Sequence, residues 1–578
     1  GYKEDKLYSI KPTDGSGDLV VTRATTATRV NSAGLVELVP YNLIQYSEQF
    51  DNAIWSKYQT SITANTTIAP NGTLTADTIT DNTATDVHIV NQGVNVGAGT
   101  YTISVYAKAN TLSNINLQWY DGVSAFSQSN VFNLSTGITT GANQSIENVG
   151  NGWYRCSYTI TTTQTGTQYP YVVLNNGSSA YYTGTGQSLY IWGAQLVTGT
   201  SAKEYFPTTD RLNVPRLDYT NSSCPSILVE PQRTNINKYS EDFTNGIYYN
   251  QNTTIIANST TAPDGTSTAD KLVITGSGVT SIFSEVATTS GNYYTTSVYV
   301  KKAETQYVNL GFIYSAGIYA GTQFDLNNGT IKRNSSLTYT NLSSTITNVG
   351  NGWYRLTVTC LINVGFEAYP TILPSNAEWT SGEPRQNLTG NNTTGAYFWG
   401  LQMELGSYAT SYIPTVASSV TRNADVISKT GISSLIGQTE GVLFFDFVYN
   451  ELDTNGLIPI TLANDSINNV YCFIESNNRI NFNFVIVGAD VLNIQTATGF
   501  AVKGTRYKIA LAYKANDFAV YINGVLIGTQ NTGAVIGFND FYFGYPFASG
   551  YNYPLKINSA QLYKTRLTNT ELASLTTI

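Results

Sequence analysis

Side chains able to break bonds are scarce in this chain, and their spacing suits none of the common catalytic arrangements. Histidine occurs once, at His88. A single imidazole excludes histidine-rich metal sites and leaves little room for a Ser-His-Asp machine. The four cysteines, Cys156, Cys224, Cys360 and Cys472, stand at least 68 residues apart with no C-x-x-C pair. Neither a zinc site nor a dense disulfide framework follows from that spacing. What the chain has in excess is aromatic surface: 42 Tyr, 22 Phe and 7 Trp make up 12% of 578 residues. Aromatic faces stack on pyranose rings, and Asn, Gln and Asp around them hydrogen-bond the sugar hydroxyls. Non-covalent recognition is the chemistry this composition suits.

Charged residues are only 12% of the chain, about half the usual quarter. Thr, Ser, Asn, Gln and Tyr must therefore cover the surface. A net charge of −8 offers no basic patch to a phosphate backbone, so nucleic acid is not an expected partner. No apolar run approaches the ~18 residues of a membrane span. The chain opens at Gly1 without the n-region and h-region of a secretory leader, so none is expected in it. Its length suits about four domains, or three large ones, at roughly 150 residues each.

An internal repeat organises the first two thirds. Tyr46-Ser47-Glu48-Gln49-Phe50 returns as Tyr239-Ser240-Glu241-Asp242-Phe243, and Ser104 to Lys108 returns as Ser297 to Lys301, both at an offset of 193. Asn148 to Arg155 recurs intact as Asn348 to Arg355, and Tyr169-Pro170 as Tyr369-Pro370, at 200. Trp192-Gly193-Ala194-Gln195 answers Trp399-Gly400-Leu401-Gln402 at 207. The offset grows by seven twice, as insertions into surface loops would make it. The repeat is thus a whole domain of about 170 residues present in tandem, not a solenoid.

Each copy reads as antiparallel β. Thr102 to Ala107, Tyr154 to Ile160 and Tyr354 to Val358 alternate with period two, between Asn-Gly and other Gly-containing turns. Short strands with frequent turn signals point to a β-sandwich. After residue 416 Trp disappears, yet strands continue at Gly441 to Phe447 and Tyr507 to Tyr513. A hairpin is expected about Asn523-Gly524, the pair a type I′ turn prefers. Thr568 is expected to cap a short C-terminal helix, with Glu571 three residues on.

The two repeats resemble the carbohydrate-binding-module-like jelly rolls of bacteriophage tail and head-fibre proteins. The resemblance rests on Tyr46 to Phe50 with Trp55, on Glu230-Pro231-Gln232-Arg233-Thr234-Asn235 leading to Tyr239 to Phe243, and on the N-G-W-Y-R and W-G-x-Q segments. Asp14 to Asp18, Arg23 to Asn31 and Gly34 to Glu37 look like the segment that precedes such modules. Pro215-Arg216-Leu217-Asp218-Tyr219 with Cys224-Pro225 is similar to the phrase that joins them. The C-terminal part, through Tyr521 to Val525 and the closing strand and helix, is similar to laminin-G/concanavalin-A-like domains. The resemblance implies a virion fibre or appendage that touches bacterial-surface glycans. Sugar-cleaving enzymes on concanavalin-A-like folds share an E-x-D-x-x-E strand that supplies paired carboxylates. The nearest match is Glu451-Leu452-Asp453-Thr454-Asn455-Gly456, where Gly456 replaces the second Glu and Asp-Thr-Asn-Gly reads as a turn. No enzyme is expected.

Trp153, Trp353, Trp192 and Trp399 occupy equal places in both copies, which favours a packing role, and the matched Tyr169 and Tyr369 read the same way. So do Trp55 and Trp119, matched by Tyr248 and Phe312. Aromatics in segments that differ between the copies are the glycan-binding candidates, because specificity varies in loops while the frame repeats. These are Tyr120, Phe126, Tyr171, Tyr181 and Tyr182 in the first copy and Tyr314, Tyr319 and Trp379 in the second. In the last domain they are Tyr545, Phe547, Tyr551 and Tyr553, in a Gly/Pro-punctuated loop. His88, matched by Ser281, reads as a solvent or turn position. Asp77 and Asp270, in matching Thr-Ala-Asp triplets, are expected to accept backbone hydrogen bonds at a strand start. They are also the weak candidates for a structural calcium, which modules of the resembled kind often hold. No other cofactor is expected.

The expected fold is all-β: three β-sandwich domains of jelly-roll type in series behind a short β-rich N-terminal segment. The boundaries are 1–40 for the attachment segment, 41–208 for the first copy, 209–234 for a linker, 235–415 for the second copy and 416–578 for the laminin-G/concanavalin-A-like domain. The expected function is that of a non-enzymatic phage fibre or appendage at the virion surface. It would bind host-surface polysaccharide through weak, multivalent, lectin-like sites. Other virion proteins are the remaining expected partners, with no nucleic acid and no membrane insertion, and a homotrimer follows by analogy. A purely structural virion protein without sugar binding is the alternative, and a secreted glycan-hydrolase accessory chain a third reading.

Overall fold

The computed structural model describes residues 2–3, 6–7, 19–23, 25–39, 41–123, 130–203, 205–209, 215–220, 222–286, 288–314, 319–336, 340–362, 368–379, 387–450, 456–548 and 554–578. The architecture is all-β, with three sandwiches along the chain. It divides into two compact units, residues 1–21 with 40–214, and residues 22–39 with 215–578.

The first unit holds the first copy. Its larger sheet runs Gln144–Gly150, Trp153–Thr162, Gly99–Ala109, Ser188–Thr198, Ala76–Asp81, Thr60–Thr67. The facing sheet runs Ile138–Thr139, Val131–Asn133, Asn114–Tyr120, Gly166–Asn175, Ile89–Asn91, Ser56–Tyr58, and Val94–Val96 also pairs with Gly166–Asn175. Adjacent strands are antiparallel throughout. The period-two pattern sends Ile103, Val105, Ile115, Leu117, Val172 and Leu174 into one core with Phe50, Trp55 and Phe132. Burying each such side chain contributes roughly 1.5–3 kcal/mol.

The second copy repeats this strand order within the second unit; among the described residues it has no counterpart of Val94–Val96. Thr340–Gly350, Trp353–Ile362, Asn292–Lys302, Gly395–Leu405, Ala269–Ile274 and Thr253–Thr260 form the larger sheet. Thr330–Ser336, Tyr319–Asp325, Tyr307–Tyr314, Ala368–Ser375, Ser281–Ser284 and Tyr248–Gln251 form the other. The outer hairpin of that sheet is longer than its counterpart in the first copy, and it lies in the segment that carries the first seven-residue insertion.

The repeated phrases have physical causes. Trp153 Nε1 donates to Ile68 O (3.0 Å) and Trp353 Nε1 to Thr261 O (3.2 Å). Trp192 Nε1 donates to Thr75 Oγ1 (3.1 Å) and Trp399 Nε1 to Thr268 Oγ1 (3.2 Å). All four indoles are buried. The glycine after each Trp of the W-G-x-Q segments has positive φ, 62° at Gly193 and 67° at Gly400. A Cβ there would press within 3.0–3.3 Å of Tyr106 and Tyr205 in the first copy and of Tyr299 and Tyr412 in the second. Both the backbone and the crowding demand glycine.

The C-terminal sandwich pairs the sheet Arg216–Asp218, Ser226–Val229, Leu555–Tyr563, Glu440–Tyr449, Thr505–Lys514, Phe518–Ile522, Val525–Gln530 with a second one. That sheet contains Val426–Lys429, Asp540–Phe543, Ile460–Asp465, Asn468–Ile474, Ile480–Ile486 and Ala489–Asp490. Two strands of the stretch 209–234 thus extend the edge of this sheet, with Ile227 opposite Ile557. The Asn523-Gly524 hairpin forms, with Ile522 opposite Val525 and positive φ at both turn residues. Helix Asn569–Thr576 carries the full Thr568/Glu571 capping box and buries Leu572 against Val442, Phe444 and Ala512. Among the described residues no helix is long and apolar enough to cross a membrane.

A buried ion cluster ties the second unit together. Asp425 accepts from Arg23 Nη1 at 2.5 Å and from Arg216 Nη2. Glu230 Oε2 accepts from Arg216 Nη1 (2.8 Å), Arg422 Nη1 (2.5 Å) and Ser411 Oγ (2.7 Å). All five charged side chains are sealed from solvent. Burial alone would raise both carboxyls; their arginine neighbours reverse this and hold both below the ordinary range.

Candidate functional site

The outer face of the smaller sheet of the first unit gathers the aromatic side chains. In Gly166–Asn175 the alternation turns Gln168, Pro170, Val172 and Leu174 inward, so Tyr169 and Tyr171 point out. In Asn114–Tyr120 it turns Ile115, Leu117 and Trp119 inward and Tyr120 out. The register sets Tyr120 opposite Tyr169 and Gln118 opposite Tyr171. Tyr120 is then 6.0 Å from Tyr171, ring centre to ring centre, with the planes 18° apart, and 6.3 Å from Tyr169 at 34°. Asn91 sits opposite Tyr171 and Ser56 opposite Asn91, while Tyr58 lies opposite Ile89 on the edge strand.

One wall is raised by a two-stranded ribbon, Thr85–Val87 with Tyr181–Thr183, where Tyr181 pairs with Val87. Together these residues line a cavity of about 730 Å³, within the range of small-ligand sites. Tyr58 Oη donates to Asp86 Oδ2 at 2.8 Å. That hydrogen bond raises the Tyr58 phenol above its ordinary value, and burial followed by the neighbouring tyrosines does so for Tyr171. Both therefore keep a neutral O–H at neutral pH.

The ribbon is anchored from beneath. Asp81 accepts from Tyr182 Oη (2.8 Å) and from the backbone N–H of Thr185 (3.1 Å), Gly186 (2.6 Å) and Gln187 (2.8 Å). Tyr182, expected as a stacking residue, is therefore buried and bound by its hydroxyl. His88 is also buried rather than in solvent: its ring lies 4.7 Å from that of Tyr182, with Nδ1 2.8 Å from Gln59 O. Tyr182 is the inward-facing residue of the ribbon, between exposed Tyr181 and Thr183, and nothing in the local sequence announces that it packs on His88.

Other candidates fall differently. Trp379 is 3% exposed, with the Arg333 guanidinium 5.1 Å from its ring centre and its backbone N–H donating to Gln323 Oε1 (2.7 Å). It offers no open face, because it packs back on the neighbouring strands. Tyr314 and Tyr319 stand at the facing ends of two strands whose backbone alone is described there. Tyr545 meets Tyr471 and Phe547 at 64° and 83°, an edge-to-face cluster that occupies its own ring surfaces. Phe547 remains exposed. Phe126, Tyr551, Tyr553 and the 451–455 turn lie outside the described residues.

Two tyrosines of the cavity were not among the candidates. Tyr169, matched by Tyr369, was expected to have a packing role; it is half-buried and packs against Tyr120 on the outer face, because the inward set of its strand is the other parity. Tyr58 is brought into place by pairing with Ile89, a contact no short motif encodes.

Asp77 and Asp270 accept backbone hydrogen bonds. Asp77 takes Phe50 N (3.0 Å) and Asn65 N (2.9 Å), and Asp270 takes Phe243 N (3.0 Å) and Asn258 N (2.9 Å). Both oxygens of each carboxyl thus hold the chain at the start of a strand. Among the described residues no three His, Cys, Asp or Glu side chains gather to hold a metal ion.

No family model and no curated protein matches this chain. Solved structures are similar in part. The carbohydrate-binding module CBM40 of the Ruminococcus gnavus IT-sialidase, bound to alpha2,3 sialyllactose, is 16% identical over 26% of this chain and 91% of its own, with a TM-score of 0.22. The N-terminal CBM22 tandem of Paenibacillus barcinonensis Xyn10C is 11% identical over 64% and 98%, with a TM-score of 0.23. Domains LG4-5 of the mouse laminin alpha1 chain are 9% identical over 52% and 90%, with a TM-score of 0.20.

Proposed function

We propose that the chain is a non-enzymatic glycan-binding protein, and that the first unit holds a saccharide on its tyrosine-lined sheet face. The carrying observation is the convergence of Tyr58, Tyr120, Tyr169, Tyr171 and Tyr181 on one cavity, with Asn91 and Gln118 among them. Ring faces contribute apolar contact to the C–H side of a sugar, while neutral phenol and amide groups hydrogen-bond its hydroxyls. Four of the five tyrosines, all but Tyr181, stand on strands of one sheet, and with two χ angles each a tyrosine loses little side-chain entropy on binding. The described lining residues are Tyr, Ser, Asn, Gln, Val, Ile and Trp, side chains that hold a sugar. Cleavage of a glycosidic bond asks for paired carboxylates instead.

The finer reading is a phage fibre or appendage, exposed on the virion, whose ligand is host-surface polysaccharide. It is supported by the resemblance of the opening, closing and joining phrases of the repeats to those of phage fibre modules. A homotrimer is part of that reading. Weak single sites suffice there, because many copies on one particle raise the effective concentration.

The test is binding of the full chain to an array of bacterial-surface polysaccharides, with Tyr120→Ala/Tyr171→Ala as the comparison. Saturable binding that the double variant loses supports the reading. A folded wild-type protein that binds nothing on the array, the host's own capsule included, leaves a structural virion component as the better account.

A further inference from the structure

The second copy carries its own aromatic array on the equivalent sheet face, made of different residues. Tyr249, Phe283 and Tyr369 lie on three adjacent strands, Tyr248–Gln251, Ser281–Ser284 and Ala368–Ser375. The Phe283 ring centre is 5.3 Å from that of Tyr249 and 6.0 Å from that of Tyr369, with planes only 15° and 11° apart. Tyr249 is 50% exposed, and Phe283 and Tyr369 are half-buried. Tyr369, expected like Tyr169 to have a packing role, thus packs on the outer face of the sheet rather than in the core.

Strand pairing fixes which positions correspond. Asn91 faces Tyr171 as Phe283 faces Thr371, and Ser56 faces Asn91 as Tyr249 faces Phe283. Tyr120 faces Tyr169 as Ile313 faces Tyr369. Tyr58 faces Ile89 as Gln251 faces Ser281. Relative to the first copy, the second has therefore lost three outward tyrosines, at Gln251, Ile313 and Thr371, and gained Tyr249 and Phe283 where Ser56 and Asn91 stand. The aromatic row is rearranged within the same face, and an amide has become a phenyl ring. Phe283 stands half-buried between two tyrosines, one of them half exposed, so the three rings form one contiguous aromatic patch on that face.

We infer that this row is a second binding site, for a neutral glycan segment of two or more consecutive sugar rings lying across the strands. It rests on the reading of the first unit's face as a saccharide site, since the duplicated sheet presents the same face. The exchange of Asn91 for Phe283 trades a hydrogen-bonding group for apolar contact, so this site selects C–H-rich, uncharged sugar faces. Near-parallel rings 5.3 and 6.0 Å apart are offset-stacked on one another, so the row meets a glycan as one continuous apolar ridge spanning three strands. The first site, bordered by Asn91, Gln118 and Ser56, selects a more polar ligand. The two copies are thereby complementary in specificity rather than redundant.

The test uses the full chain and isothermal titration with cellohexaose, maltohexaose and mannohexaose. Tyr249→Ser/Phe283→Asn installs the residues that the first copy tolerates at the same sheet positions, and a thermal melt verifies that the variant folds. The expected result is a hexasaccharide that binds wild type and Tyr120→Ala/Tyr171→Ala equally, and binds Tyr249→Ser/Phe283→Asn about tenfold more weakly or worse. Binding lost only with Tyr120→Ala/Tyr171→Ala overturns the second site and leaves the proposed function standing. No binding of any hexasaccharide by a wild type that does bind the polysaccharide array also overturns the second site alone; silence on both overturns the two together. A wild-type self-association, seen by sedimentation, that Tyr249→Ser/Phe283→Asn abolishes would assign the row to a second copy of the chain and overturn the site.

Discussion

Tyr120 and Tyr171 stand on neighbouring antiparallel strands with ring centres 6.0 Å apart and planes 18° from parallel. They are diagonal partners, because the register places Tyr120 opposite Tyr169 and Gln118 opposite Tyr171. That geometry needs no loop to hold it. Two hydrogen-bonded strands, with Leu117 and Val172 buried beneath, fix the pair before any ligand arrives.

Truncating these rings should therefore separate binding from folding. Tyr171→Ala or Tyr120→Ala is expected to weaken saccharide binding by about tenfold, roughly the contribution of one stacked ring. The melting temperature should shift little, since both rings lie on the outer face. Tyr171→Phe keeps the ring and should lose less than Tyr171→Ala. Calorimetric titration beside thermal melts checks all three.

The anchor beneath the ribbon should behave in the opposite way. Asp81 accepts four hydrogen bonds from the segment Tyr182 to Gln187. Asp81→Ala leaves those donors unpaired and is expected to cost about 3 kcal/mol, while Tyr182→Phe costs about 1 kcal/mol. Both should also lower affinity, because Tyr181 and Val87 form the wall. Urea unfolding with a parallel binding assay tests this.

In the second unit, Asp425→Ala would leave Arg23 and Arg216 buried without their shared partner. The expected loss is about 3–5 kcal/mol, whereas replacing the whole cluster by apolar residues could be nearly neutral. The pH dependence follows from the lowered carboxyls. Asp425 and Glu230 stay ionised in the folded state below the pH at which they protonate in the unfolded chain. Their contribution is complete above the ordinary carboxyl range, near 4–4.5, and is lost as the pH falls below it. Melts of wild type between pH 2 and 6 should show this loss, and Asp425→Ala should flatten it.

Asp77 should act with the opposite sign. Burial raises its carboxyl to about 6, against two backbone hydrogen bonds that lower it. The folded state then binds a proton more tightly than the unfolded chain, so the associated stability is complete below about pH 4 and is lost as the pH rises through about 6. Asp270 is raised for the same reason. Comparing unfolding of wild type and Asp77→Asn over pH 4–7 isolates the effect, since the amide does not titrate.

Much of the frame was legible because its determinants are local or repeated. The recurrence of Trp153 and Trp192 as Trp353 and Trp399 announced a shared core, and the Asn523-Gly524 turn and the Thr568/Glu571 cap are set by neighbours in sequence. The candidate site was legible in part. Tyr120, Tyr171 and Tyr181 stood out because they differ between copies, but the same logic set aside Tyr169 and Tyr369 as packing residues, and their packing is on the outer face of the sheet. The odd-numbered parity of Tyr169 and Tyr171 against buried Val172 and Leu174 was the available signal. Tyr58, the packing of Tyr182 on His88, and the ion cluster of Arg23, Arg216, Glu230, Arg422 and Asp425 depend on pairings between distant segments, which no short motif carries.

The most direct test is a crystal structure of the full chain soaked with an oligosaccharide whose binding Tyr120→Ala/Tyr171→Ala weakens and Tyr249→Ser/Phe283→Asn does not. A pyranose ring stacked on Tyr120 or Tyr171, with hydroxyls bonded to Asn91 or the Tyr58 phenol, is the result expected. Density for the sugar elsewhere on the chain, with the tyrosine face empty at saturating ligand, would contradict the account.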